Sequence, residues 1–161
     1  MTSPYVIDYR DSFDLPASPG DVWATVEDVD RFESWWGWLR EFRVEGGGLV
    51  AGAVLHGVIV PPLPYRMRLR VELCECVPAQ RVEALVHGDL EGSARLLLEP
   101  AGDGTRASVN WTIEMMQRPM RVAARIGHPL LRWGHDRVVD ATVAGFRRHL
   151  ASRPAGGDSV R

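Results

Sequence analysis

The chain has two cysteines in 161 residues, Cys74 and Cys76. Set as Cys-x-Cys, they lie near the upper limit of disulfide geometry and far short of a zinc set. Reduced thiols are the expectation. No apolar run approaches the roughly 18 residues a membrane helix needs, so no membrane span is expected. Residues 1–10 lack a basic start and an apolar core, so no secretory leader is expected and the location reads as cytoplasmic. Charge of one sign is also missing. Lys+Arg is 19 and Asp+Glu 21, for a net charge of −2. Such a chain has no basic excess to neutralise phosphates, which argues against nucleic acid as partner. There is no internal repeat. There is no His-x-x-x-His or Glu-x-x-His pair, so neither a metal nor another cofactor is expected. Gly46-Gly47-Gly48 and Gly102-Asp103-Gly104 lack the ending of a phosphate loop and read as turns. No serine has a nucleophile-elbow context.

What is present is an ordinary globular composition, 45% hydrophobic and 25% charged, with six tryptophans. The length fits one domain over residues 3–152, followed by a glycine-rich tail over 153–161. Tyr5, Ile7, Tyr9 and Phe13 alternate with polar residues, which predicts a half-buried strand. Ser18-Pro19-Gly20-Asp21 is a helix start, with Ser18 as cap and Pro19 at the first position. A second short helix is expected from Asp30, its cap, to Trp36. Six strands follow: 40–45, 53–60, 65–73, 81–87, 90–99 and 105–116. Short turns between alternating runs indicate an antiparallel meander. Val139, Val143, Phe146 and Leu150 then mark a helix face. That helix should run from about Pro119 to Ser152, kinked or broken by Pro129. A sheet with one polar face needs its other face covered, and only this helix is large enough. The class is therefore α+β.

This order of pieces resembles the START-like superfamily, also called SRPBCC or helix-grip. Within it the chain is similar to the polyketide cyclase/dehydrase group. The resemblance rests on Pro19-Gly-Asp-Val-Trp-Ala-Thr-Val-Glu-Asp-Val-Asp30, Trp35-Trp36, Pro64-Tyr65 and Gly88-Asp-Leu-Glu-Gly92. Gly104-Thr105, Asn110-Trp111 and Trp133-Gly-His-Asp-Arg-Val-Val139 complete it. It implies a curved antiparallel sheet of about seven strands wrapped around a long C-terminal helix, with two short helices after the first strand. It also implies a cavity for a small hydrophobic molecule between sheet and helix. It does not imply one activity, because the superfamily holds carriers, cyclases and other proteins.

Candidate residues follow from the phases. Tyr65, Met67 and Leu69 share the inward face of one strand, and Trp111, Ile113 and Met115 that of another. His135, four residues before Val139, sits on or beside the helix stripe. A buried imidazole there serves as a proton carrier, a ligand contact, or a core histidine bonded to a carbonyl or carboxylate. His56 faces the cavity if Val54, Val58 and Val60 do, and solvent if Leu55 and Ile59 do; both faces are apolar. His87 reads as a rim residue. Arg66, Arg68 and Arg70 lie on the outer face, where Glu83, Glu91 and Arg95 can pair across strands. Trp35-Trp36-Gly37-Trp38 is a gate at the mouth, a core plug or a contact surface. The ligand-binding set is thus Trp36, His56, Tyr65, Met67, Leu69, Trp111, Ile113, Met115, His135 and Val139. Three functions stay open: a binding or carrier protein for a hydrophobic or polyketide-like molecule, a cyclase/dehydratase with His135 and Tyr65 moving protons, and a protein-interaction module. The chain would act as a monomer or homodimer.

Overall fold

The computed structural model describes residues 5–63 and 65–152, apart from the side chains at 123, 126 and 128. The expected tail at 153–161 lies outside the described residues. Seven strands form one antiparallel sheet: β1 (Val6–Leu15), β2 (Leu39–Glu45), β3 (Val54–Ile59), β4 (Met67–Val77), β5 (Arg81–Gly88), β6 (Leu90–Ala101) and β7 (Gly104–Met115). Their order is β1-β7-β6-β5-β4-β3-β2, so a meander from β2 to β7 is closed at its far edge by β1. Between β1 and β2 lie α1 (Pro19–Val26), a 3-10 turn (Val29–Arg31) and α2 (Phe32–Trp35). The helix α3 (Arg118–Ser152) ends the fold.

Local chemistry explains most of these boundaries. The Ser18 hydroxyl accepts from the Asp21 amide at 3.2 Å, and Pro19 opens α1, as expected of a cap and a first-position proline. The second helix starts differently from the expectation. Asp30 falls inside the 3-10 turn and caps nothing, and α2 keeps only Phe32–Trp35. The kink in α3 sits at Gly127 (φ −132°, ψ 41°), two residues before Pro129. Proline lacks an amide for the carbonyl four residues back and its ring presses on that carbonyl, so the backbone yields at the glycine.

Alternation sets the inner face. Met67, Leu69, Val71 and Leu73 of β4 point inward while Arg68 and Arg70 are on the other face. A bulge between Leu73 and Glu75 then shifts the phase. The two cysteines therefore do not share a face: Cys74 is exposed, whereas Cys76 packs against the core. Two large buried clusters result, with a smaller third at Ala53, Leu73 and Ala84. One gathers Leu15, Val22, Trp23, Phe32, Trp35, Leu98, Phe146 and Leu150, and so ties α1 and α2 to the end of α3. The other gathers Met67, Val86, Leu90, Ile113, Met115, Met120, Ala124 and Leu131 beneath the start of α3. Between them Leu69, Val71, Ala94, Leu96, Val109 and Trp111 face the helix but are only half-buried. The centre of the sheet is less tightly covered than its ends.

Gly145 lets α3 approach α2. A Cβ there would stand 2.5 Å from the Trp35 carbonyl oxygen and 3.1 Å from the Trp36 ring. Gly145→Ala should cost about 1–3 kcal/mol by overpacking. At roughly 2–4 °C per kcal/mol the melting temperature should fall by several degrees. Gly37→Ala, where a Cβ meets nothing within 4 Å, should leave it unchanged. Thermal melts followed by circular dichroism check both, and equal melting temperatures would remove the close-approach argument.

Candidate functional site

The middle of the helix meets the sheet at His135, against β7 and the edge strand β1. The indole Nε1–H of Trp111 on β7 donates to His135 Nε2 at 3.1 Å. An indole nitrogen only donates, so Nε2 must accept, and the ring is neutral with its proton on Nδ1. His135 Nδ1–H in turn donates to Asp136 Oδ1 at 3.3 Å. The imidazole is thus held at both nitrogens, with its side chain 15% exposed.

Tyr9 on β1 completes the group. The register pairs it with Trp111, and their rings stack at 4.6 Å with 22° between planes. Its ring meets the His135 imidazole edge-on at 5.1 Å. The Tyr9 hydroxyl donates to Asp11 Oδ2 at 3.0 Å. Burial, that hydrogen bond and the nearby charges of Asp11, Asp136 and Asp140 push the phenol up to about 12. Tyr9, Trp111 and His135 thus form one aromatic group, with the charges of Asp11, Asp136 and Asp140 around the Tyr9 phenol.

The apolar wall continues from there. Ile113 and Met115 are buried on β7, Met67 is buried on β4, and Tyr65, Leu69 and Trp111 pack against them. Burial pushes the Tyr65 phenol up. Val139, one helical turn beyond His135, is buried. Eight residues of the expected set thus lie on the sheet and helix faces that meet here: Tyr65, Met67, Leu69, Trp111, Ile113, Met115, His135 and Val139.

The other two stand elsewhere. His56 pairs with Arg70 in the register, on the outer face of the sheet, and its Nε2 lies 3.3 Å from Glu45 Oε1. Leu55 and Ile59 are the inward residues of β3: Ile59 packs against the cluster of Met67 and Val86, and Leu55 against Ala53, Leu73 and Ala84. Trp36 belongs to the cluster at the far end of α3, where its indole donates to the Thr142 carbonyl at 2.9 Å. Trp35 is buried beside it and stacks on His149 at 4.2 Å, so this part of the tryptophan cluster is a plug. His87 lies outside, bonded to Glu91 at 3.0 Å, in an outer face that also carries the Arg95–Glu83 pair. Tyr9 and Asp11 were absent from the expected set. The strand pattern put Tyr9 on the inner face, but only the pairing of β1 with β7 sets it against Trp111. A shallow depression of about 480 Å³ on β1, β6 and β7 is lined by Arg10, Asp11, Ser12, Arg95, Leu97, Ser108, Val109 and Asn110. Among the described residues no group of three His, Cys, Asp or Glu could hold a metal ion.

Residues 6–151 match the family model described as "Polyketide cyclase / dehydrase and lipid transport". The chain belongs to this family. No curated protein sequence matches it. Among solved structures it is similar to TTHA0849 from Thermus thermophilus, with 19% identity over 91% of this chain and 100% of that one and a TM-score of 0.75. It is also similar to the Zhui aromatase/cyclase from Streptomyces sp. R1128, with 12% identity over 94% and 99% and a TM-score of 0.74. The di-domain ARO/CYC BexL of the BE-7585A biosynthetic pathway matches with 15% identity, a TM-score of 0.69, and 94% of this chain against 52% of its own. At these identities the structural likeness concerns the fold alone. The family membership fits a hydrophobic ligand-binding or cyclase role; the feature of this chain that bears on the choice is the bonded Trp111–His135 pair.

The titration of Tyr9 tests the geometry around that pair. The fold favours its protonated form, so the associated stability is whole below the ordinary tyrosine value near 10 and is lost as pH rises toward about 12. Tyrosinate absorbance should show a late step near pH 12 that disappears in Tyr9→Phe. A late step that survives the substitution would assign it to another tyrosine.

Proposed function

We propose that the protein binds a small, neutral, hydroxyl-bearing hydrophobic molecule between the sheet and α3, as a binding or carrier protein. The observation that carries this reading is the Trp111 Nε1–His135 Nε2 bond on a half-buried apolar wall. It is a donor and an acceptor side by side. A hydroxyl inserted between them accepts from the indole and donates to the imidazole, so both partners stay satisfied. A carboxylate would satisfy only the indole and would turn a lone pair toward Nε2. It would also meet the charges of Asp11, Asp136 and Asp140 around the Tyr9 phenol. Tyr65, Met67, Leu69, Ile113, Met115 and Val139 supply the apolar body of the pocket, where methionine adapts to irregular shapes.

A second reading, a cyclase/dehydratase, is favoured by one contact. Asp136 orients His135 as a carboxylate orients a general base. Against it, Nε2 is already engaged, and Tyr65 is made a weaker acid by burial. The interaction-module reading has less support, since Trp35 is buried and Trp36 is tied to Thr142.

Calorimetry with 2-naphthol and 2-naphthoate, alike in their ring system, tests the ligand class. The naphthol should bind at least about tenfold more tightly, equivalent to about 1.4 kcal/mol. His135→Phe should weaken naphthol by roughly 1–2 kcal/mol, one or two hydrogen bonds, and leave naphthalene unchanged. Equal or tighter binding of the naphthoate would defeat the reading. Turnover of an enolisable substrate that His135→Phe abolishes would favour the cyclase instead.

A further inference from the structure

The first twenty residues of α3 carry charge and exposed apolar surface that the ligand site does not use. Arg118, Arg121, Arg125, Arg132 and Arg137 stand against a single acid, Asp136, in a chain whose net charge is −2. Arg121 is paired with Glu114. Among the described residues the guanidiniums of Arg118, Arg132 and Arg137 have no carboxylate within ion-pair distance, whereas that of Arg125 donates to the Tyr5 hydroxyl at 2.6 Å; all four residues are exposed.

Large apolar side chains stand among them. Val122 is 58% exposed, Leu130 56% and Trp133 44%. Helical spacing groups Val122 with Arg118 and Arg125 before the kink, and Leu130 with Trp133 and Arg137 after it. The Arg137 guanidinium lies 5.5 Å from the centre of the Trp133 ring. The opposite side of the same segment is satisfied, since Met120, Ala124 and Leu131 are buried against the sheet. The exposed apolar residues are therefore not a misplaced core.

We propose that this face of α3 docks on an anionic lipid bilayer. Arginine forks match lipid phosphates, tryptophan favours the headgroup level, and leucine and valine enter the boundary below it. Charge complementarity selects the occupant: Arg118 and Arg137 beside the exposed apolar residues, with Arg132 on the flank, suit a dense anionic surface, and Val122, Leu130 and Trp133 suit a hydrocarbon boundary beneath it. Nucleic acid supplies the first and not the second. Docking here is peripheral, because no helix among the described residues is long and apolar enough to cross a membrane. The proposal is independent of the ligand reading.

Co-sedimentation with vesicles tests it. The protein should pellet with phosphatidylcholine vesicles containing phosphatidylglycerol at least about tenfold more than with phosphatidylcholine alone, and be released by high salt. Arg132→Glu/Arg137→Glu and, separately, Leu130→Ser/Trp133→Ser should each lose most of this binding while keeping wild-type circular dichroism and naphthol affinity. Both pairs are exposed, so their folding is not at issue. Equal binding to neutral vesicles, no binding to either kind, or unchanged partitioning of both variants would overturn the proposal. Displacement from the anionic vesicles by equimolar polyglutamate or duplex DNA would overturn it too, by showing that charge alone is read.

Discussion

A single helix covers one face of a seven-stranded sheet, and most of the structure is a consequence of that mismatch in width. Strands spaced about 4.8 Å apart make such a sheet about 29 Å wide. A helix with its side chains is only about 10–12 Å across. Flat packing would leave apolar strands in water, so the sheet must curl around the helix. Even then the fit is uneven. Small helices and tryptophans fill one end, and the start of α3 with three methionines fills the other. The centre, from Leu69 to Trp111, keeps accessible apolar surface.

Polarity around His135 is confined to a few groups, and their arrangement decides what chemistry is available. Trp111 can only donate, and His135 answers with its only acceptor. The other ring nitrogen is committed to Asp136, and the Tyr9 hydroxyl to Asp11. Both pocket phenols are pushed up, Tyr9 to about 12, so they are hydrogen-bond donors more readily than acids. This arrangement is what favours the proposed recognition of a hydroxyl over proton transfer.

The phases of β1, β4, β7 and α3 were legible in the sequence because each has one apolar face and one polar face. Met67, Trp111, His135 and Val139 were placed on meeting faces by periodicity alone. His56 was not, since Val54, Leu55, Val58 and Ile59 make both faces of β3 apolar and alternation has nothing to choose between. The bulge after Leu73 is equally silent, and it separated Cys74 from Cys76. Pro129 announced a break in α3, but the backbone yielded at Gly127, where a residue without a side chain gives way more easily. Trp36 looked like a pocket residue until Thr142, 106 positions away, accepted its indole proton. Tyr9 belonged to the right face of its strand, yet its role depends on β1 pairing with β7. Contacts between elements distant in sequence leave no local period to read.

Net charge conceals a further division of labour. The overall value of −2 averages a basic first half of α3 with the acidic group of Asp11, Asp136 and Asp140 around the Tyr9 phenol. Asp136 and Arg137 are neighbours, but the first acts on His135 and Tyr9 while the second lies over the Trp133 ring. One turn of helix thus carries two opposed electrostatic environments, because successive residues point about 100° apart. The kink at Gly127 adds a mechanical division to the electrical one. It breaks the run of backbone hydrogen bonds between the half of α3 that holds Met120 and Ala124 and the half that holds His135. The division is incomplete, since Leu131 beyond the kink packs in the same buried cluster as Met120 and Ala124 before it.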